Sequence, residues 1–375
     1  MTTVAGVAGV LIILGILWEA FETVVLPRRV TRRVRLTGLF YLSGWKLWRM
    51  TAHAIRHRGR REAFLSYFGP LSMLVLFAAW AVCLIVGFAL LQAGFGSQLA
   101  GPQRRIGLST DVYLSGTTFF TLGIGDVIPR SAAARAITVA ESGVGFGFLA
   151  MVIAYLPVLY QAFSRREVRV SVLDAWAGSP PAAGELLRRL GTDDRETLLA
   201  SFLEEWEIWS AELLETMVSY PVLGYFRSQH DNQSWLAALT AVLDACAVMM
   251  SGIDGPSIKR APLTFAMARH AVVDLCQVFN TPPVRPNRDR LPETDQRRLW
   301  ARLRDAGWTT REDQTSIARL RELRDMYEPY VNALASRLLA PLPTWLPVDG
   351  ARDNWQRTAW RTIGTDHREP VARRR

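Results

Sequence analysis

The apolar positions of this chain gather into three long runs in its first half, and no charged residue occurs between Glu62 and Arg104. A stretch of that length is too long for an ordinary buried helix and long enough for a membrane span. The runs Val4–Leu26, Phe68–Phe95 and Ala136–Phe163 each suffice to cross roughly 30 Å of hydrocarbon at roughly 1.5 Å rise per residue. The first has no basic region ahead of it. It carries Trp18, Glu19 and Glu22 where a small-residue cleavage site would stand, so it reads as a retained span and not a signal peptide.

Loop charge orients these spans. Residues 28–65 are rich in arginine, opening with Arg28, Arg29, Arg32, Arg33 and Arg35. The stretch between the second and third runs holds only Arg104, Arg105, Arg130 and Arg135, with Asp111 and Asp126 among them. The positive-inside rule places the first loop in the cytoplasm, the amino terminus outside and the chain beyond the third span in the cytoplasm. The expected location is a cell membrane, crossed several times. Phe40–Met50 mixes aromatic and basic residues and predicts a helix at headgroup level. Glu19 and Glu22 share a helix face and are expected to pair with Arg28, Arg29 or Arg32.

From Ser164 onward the chain is polar and follows a helical period. Asp193 and Glu196 stand at capping-box spacing, and Leu199, Phe202, Trp206, Trp209 and Leu213 recur at helical intervals. Further helices are expected over Ser234–Met250, Pro262–Phe279 and Thr310–Leu339, with proline-rich breaks at 281–293 and 340–347. The tail ends on Arg373, Arg374 and Arg375 and is expected to be disordered. No alternating β-branched run and no internal repeat appears, so the fold class is an all-α membrane protein with an all-α cytoplasmic domain.

The segment TTFFTLGIGDVIP (117–129) lies between two spans and is not apolar enough to cross. Backbone polar groups at membrane depth must be satisfied by protein or face a watery cavity, which predicts a re-entrant segment. Ser109 or Thr110 is expected to cap a short helix from Asp111 to about Phe120. Its carboxyl end then favours a cation at membrane depth. Gly123 and Gly125 tolerate positive φ, so successive carbonyls can face one way and replace an ion's hydration shell.

Thr121-Leu122-Gly123-Ile124-Gly125-Asp126 resembles the signature of potassium-channel selectivity filters, whose common form is T-V-G-Y-G-D. Thr117 and Thr118 resemble the pore-helix threonines, and Pro129 the proline often found past the aspartate. The resemblance covers roughly residues 66–163. It implies a homotetramer in the lipid bilayer that conducts potassium ions, held by the carbonyls of Thr121, Leu122, Gly123 and Ile124 with Gly125 completing the filter. Asp126, Thr117, Thr118 and Glu141 are the expected filter supports. The third span becomes the pore-lining inner helix, and Gly143, Gly145, Gly147 and Pro157 are the candidate gate or hinge positions, with helix packing as the alternative for the glycines. Gly143 and Gly147 stand one turn apart, which suits close helix approach. Glu141, the one charge in this span, is expected near the outer end behind the filter in a hydrogen bond to a neighbouring pore element, with ion contact as the alternative. Two departures matter. Leu122 replaces valine, and Ile124 replaces an aromatic residue that would donate a hydrogen bond to the surrounding cuff.

The layout that follows is an amino-terminal transmembrane helix (1–27), a basic linker with an interfacial helix (28–65), a pore domain (66–163) and a cytoplasmic helical domain with a basic tail (164–375). The net charge of +10 invites a nucleic-acid reading, but much of the excess flanks apolar runs, so none is expected. Cys83, Cys246 and Cys276 have no ligand-like spacing, so neither a disulfide framework nor a zinc site is expected. The glycine string of the third span lacks the spacing and preceding strand of a nucleotide fingerprint. His270 and Asp274 with Asp244, and His230 with Asp231, are thin candidates for a ligand site. They identify no regulatory ligand, no cofactor, no metal and no catalytic set, and the chain does not read as an enzyme. Two rival functions stay open: a weakly selective cation channel, motivated by Ile124, and a membrane-anchored sensor or enzyme with a vestigial pore.

Overall fold

A computed structural model describes residues 2–26, 35–101, 107–191, 195–230, 232–255, 257–286 and 288–347. Helices supply nearly all the regular structure among them. The small exceptions are a two-residue antiparallel pair, β1 (Leu99–Ala100) with β2 (Ile128–Pro129), and an isolated bridge from Ile253 to Thr310. Among the described residues four helical stretches are long and apolar enough to cross a membrane: Thr3–Val25, Arg58–Gly94, Ala132–Ala177 and Trp235–Gly252. The first three overlap the apolar runs of the sequence, and the chain is an all-α membrane protein. It divides into two compact units, Met1–Phe163 with Val218–Phe226, and Ser164–Met217 with Arg227–Arg375.

The first unit begins with α1 (Thr2–Ala20), which continues as a π turn over Phe21–Val25 and packs along α4 (Phe68–Gly94). Small residues set that approach. A Cβ on Gly9 would lie 2.5 Å from the Gly87 carbonyl oxygen, and one on Gly87 would lie 2.9 Å from Ile13. Ile13 and Ile16 join Phe77, Trp80, Leu84 and Phe88 in the core, while Val4, Val7, Leu11 and Leu14 are exposed. A helix apolar on both faces suits a span with protein on one side and lipid on the other.

Glu19 works as a cap. Its carboxylate accepts from the backbone N–H of Leu36 (3.1 Å) and Thr37 (3.2 Å) and from the Thr37 hydroxyl (2.9 Å) at the start of α2 (Leu36–Ala54). A negative charge on those orphan donors stabilises a helix start. Glu22 accepts from Trp18 Nε1 at 2.8 Å and lies 4.0 Å from Arg35 Nε. The expected partners Arg28, Arg29 and Arg32 lie outside the described residues. Helix α2 is longer than the expected Phe40–Met50 element and is amphipathic. Leu39, Leu47 and Met50 are exposed, while Trp45 is buried against Phe68 (ring centroids 4.9 Å apart). A short helix, α3 (Arg58–Ser66), precedes α4; its charged sequence concealed it.

After α5 (Leu108–Phe119), helix α6 runs from Ala132 to Ala177 without a break, through Pro157 and past Ser164, where the polar character of the chain had placed a boundary. Pro157 removes the donor for the Ile153 carbonyl, yet the helix persists for five turns beyond it.

The second unit is built around α9 (Trp235–Gly252), packed by α7 (Ala183–Leu190), α10 (Ala261–Val278), α12 (Gln314–Asp325) and α13 (Glu328–Leu338), with α11 (Glu293–Asp305) on α7. All of α9 except Met250 is buried. A helix apolar all round serves as a core when other helices cover it. Ser234 caps it, accepting from Ala237 N at 3.1 Å. Helix α8 (Arg195–Ser219) begins beside Asp193 and Asp194, which lie outside the described residues. The single helix expected over Thr310–Leu339 is instead two. Asp313 caps α12, accepting from Ser316 N at 2.7 Å, and the chain breaks at Met326–Tyr327 before Pro329 opens α13, a first-turn position that costs no hydrogen bond.

A buried ionic network closes this unit. Asp244 on α9 is fully buried and accepts both Arg290 Nη1 (2.9 Å) and Nη2 (2.8 Å), and also the Tyr327 hydroxyl. Arg290 reaches Glu328 at 3.0 Å, and Arg324 bridges Glu328 (3.1 Å) and Asp289. Both guanidinium groups lie over the Trp345 ring, at 5.5 and 5.4 Å. Burial alone would lower the Arg290 pKa; the charge and hydrogen bonds of Asp244 overcome this and hold it above its ordinary value. Asp244 is therefore engaged within the core. His270 and Asp274 form a separate surface pair at 3.9 Å, and Asp231 lies outside the described residues. Among the described residues no group of three His, Cys, Asp or Glu side chains could hold a metal ion.

Candidate functional site

The site is assembled from the end of α5, the turn that follows it and the flank of α6. Helix α5 starts at Leu108 with Gly107 as its N-cap, not at Asp111 behind a Ser109 or Thr110 cap. The Gly107 carbonyl already accepts from Thr110 N (2.8 Å) and Asp111 N (3.2 Å), so the turn is helical before a serine or threonine side chain is needed. Buried Asp111 instead accepts from Ser97 Oγ at 2.7 Å. At the other end the orphan carbonyls of α5 are taken up by the chain beyond it, with Thr121 N on Thr118 O (3.0 Å) and Leu122 N on Thr117 O (2.7 Å). The Thr117 hydroxyl donates to Leu114 O at 2.9 Å.

The backbone then alternates. Thr121, Gly123 and Gly125 have φ of 56°, 58° and 82°, whereas Leu122 and Ile124 are not in the positive-φ region. Residues of alternating hand allow successive carbonyls to face one side. The two glycines adopt this without steric cost; Thr121 does so against its Cβ, a strain that persists only where surroundings enforce it. Every residue from Thr121 to Asp126 is exposed in the single chain, Leu122 at 64% and Ile124 at 60%.

Three features position this stretch. Asp126 accepts from Tyr113 Oη on α5 at 3.0 Å and from Val127 N at 3.0 Å. The β1–β2 pair, with Arg130 N on Gln98 O at 2.9 Å, returns the chain beside the start of the loop. Val127 is buried with Leu99 and Leu114. Tyr113 escaped the sequence reading because no local spacing links it to a residue thirteen positions on. Tyr113→Phe removes the donor and leaves the ring, and its expected effect is faster amide hydrogen exchange over residues 121–127. Equal exchange in the two proteins would show that this hydrogen bond does not brace Asp126.

Glu141, fully buried on α6, meets Ser115 of α5, whose hydroxyl also lies 2.7 Å from the Ile85 carbonyl oxygen of α4. Three helices thus converge on one small side chain. Gln92 of α4 adds a second tie, donating from Nε2 to Ala134 O and Thr138 Oγ1 of α6, each at 3.2 Å. Neither Ser115 nor Gln92 carries a signal in sequence, since small polar residues in apolar helices are common.

The glycines of α6 differ in role. A Cβ on Gly145 would lie 2.1 Å from the Phe119 carbonyl oxygen, so this glycine sets the approach of α6 to the end of α5. Gly143 and Gly147, whose spacing suggested close approach, face open space within the chain. The face they share with Phe146 and Ile153 is exposed, at 68% and 63% for those two. Gly145→Ala forces backbone against backbone and is expected to cost about 1–3 kcal/mol per chain. The check is the midpoint of thermal unfolding in detergent, against Gly143→Ala, which should shift it little.

Residues 73–161 match the model of a family described as Ion channel. That range takes in most of α4, all of α5 and its following turn, and α6 through Pro157. The chain is also similar to the uncharacterized membrane protein YdjJ of Bacillus subtilis (strain 168), with 23% identity over 261 residues that cover 69% of this chain and 74% of that protein. No solved structure matches. The likeness over residues 73–161 supports an ion-channel module in this part of an all-α membrane protein.

Proposed function

We propose that the chain is a potassium-selective channel in which four copies surround one ion pathway. One observation carries this reading: the alternation of hand at Thr121, Gly123 and Gly125, directly beyond the carboxyl end of α5. Carbonyls aligned in this way replace the hydration shell of a dehydrated cation, and the dipole of α5 favours positive charge at its end. One strand cannot enclose an ion, whereas a closed ring can. The exposure of 121–126 and of the Gly143–Ile153 face of α6 supports neighbours that a single chain lacks. In this reading Thr121, Leu122, Gly123 and Ile124 hold the ion, Asp126 and Glu141 fix the strand from behind, and α6 lines the pathway. The basic stretch 28–65 and the second unit face the cytoplasm.

Ile124 favours a second reading, a weakly selective cation channel. An isoleucine has no donor for the cuff of side chains behind a filter, and Tyr113 supplies its hydrogen bond to Asp126 instead. Reversal potentials of the purified protein in liposomes, under opposed sodium and potassium gradients, separate the two. A potential near that of potassium supports the first reading, one near zero the second, and no ion flux refutes both.

A further inference from the structure

Tyr220–Phe226 (YPVLGYF) lies in sequence between α8 and α9, both largely of the second unit, yet Val218–Phe226 is part of the membrane unit. The segment forms a 3-10 turn over Pro221–Tyr225, closed by Leu223 N on Tyr220 O (3.0 Å) and Phe226 N on Leu223 O (3.1 Å). Val222, Leu223, Tyr225 and Phe226 are buried, Tyr220 is half-buried and Pro221 is exposed. The Tyr225 ring lies 5.0 Å from Trp45 on α2 and 5.1 Å from Phe68 on α4, and it stacks on Tyr41 at 6.1 Å. Phe226 lies 5.6 Å from Phe163 and 6.1 Å from Tyr160 on α6, and Tyr220 lies 5.7 Å from Tyr155. Gly69 makes room for the Phe226 ring, since a Cβ there would stand 2.5 Å from it.

We propose that Tyr220–Phe226 is a strap that holds the Tyr155–Phe163 portion of α6 back against α2 and the start of α4, and that the pore closes only when this strap yields. The inference rests on the channel reading above. In a ring of four, closure beyond Pro157 requires the α6 helices to converge on the axis. Tyr155, Leu159 and Phe163 are buried on the side of α6 that faces the strap and α4, while Ile153 and Val158 are exposed. Convergence therefore pulls the first set off aromatic partners and returns their apolar surface to water or lipid. Interdigitated rings behave as a two-position latch and not as a continuous spring. The filter stretch, at the far end of α5, takes no part in these contacts.

The test uses the full chain in liposomes under single-channel recording. Phe226→Ala, which empties the seat at Gly69, is expected to lower open probability by about tenfold, with single-channel conductance and the sodium-to-potassium permeability ratio unchanged. Gly69→Ala, which displaces the same ring from the α4 side, should act in the same direction, and Phe226→Leu should retain most of the opening. Amide hydrogen exchange supplies a readout independent of conduction: residues 155–163 should exchange faster in Phe226→Ala than in the unsubstituted protein. Unchanged or raised open probability in both Phe226→Ala and Gly69→Ala overturns the proposal. If the unsubstituted protein conducts no ion, the channel reading itself falls, and unchanged exchange in Phe226→Ala then overturns the strap as well.

Discussion

Gly123→Ala protein should insert into membranes, assemble and pass no potassium. Gly123 has φ of 58°, and within its own chain a Cβ there would meet nothing within 4 Å. The penalty is thus conformational and axial. Holding an L-residue in the left-handed region costs about 1–2 kcal/mol, or about 4–8 kcal/mol over the four copies of the proposed assembly. In the proposed ring the added methyl groups would also converge on the ion pathway. Relaxation of residue 123 to negative φ would rotate its peptide planes and break the proposed file of carbonyls between Thr121 and Gly125. Flux assays in liposomes, with mass measured in detergent to show an intact assembly, decide the matter. Undiminished potassium flux would falsify the assignment of 121–125 as a carbonyl-lined pathway.

The largest expected effect outside the membrane unit is at Arg290. Arg290→Met leaves Asp244, fully buried, and Glu328 without the cation that both accept from. Removing one partner of a buried ion pair costs about 3–5 kcal/mol, and two carboxylates here lose the same partner. Arg324 still serves Glu328, so the deficit falls chiefly on Asp244. The second unit should lose its cooperative unfolding transition or unfold at markedly lower temperature. Asp244→Asn placed in the Arg290→Met background should restore part of the loss, because a neutral amide no longer demands a counter-charge. Limited proteolysis between Ser234 and Leu338, followed with temperature, distinguishes the three proteins. Equal midpoints for Arg290→Met and the unsubstituted chain would mean that the network contributes nothing to this core.

The expected and observed elements part company in a consistent way. Helices with long apolar runs, α1, α4, α6 and α9, were legible because their periodicity needs no knowledge of a partner. Helices α3, α7 and α11 were not, being short and rich in charge; α11 commits only Leu299, Trp300 and Leu303 to the core. The division of Thr310–Leu339 into α12 and α13 turns on Pro329 in a first helical turn, which a periodic pattern reads straight through. Nothing near YPVLGYF in sequence reveals the aromatic rings of α2, α4 and α6 that receive it.

What the sequence determined by itself was the class of the protein, an all-α membrane chain, and the place of its most unusual backbone. Both follow from local demands. A span needs an unbroken apolar run because lipid offers no hydrogen bonds, and the turn at 121–125 needs residues that bear positive φ. Only the tertiary structure decided which side chains brace that turn and its helices and which close the second unit. Asp126 takes Tyr113 from thirteen residues away, Glu141 takes Ser115 from 26, and Asp244 takes Arg290 from 46. It also chose Gly145 over Gly143 and Gly147 for the close approach to Phe119. Such choices depend on which backbone surfaces meet once helices pack, and that geometry is written in no single stretch of sequence.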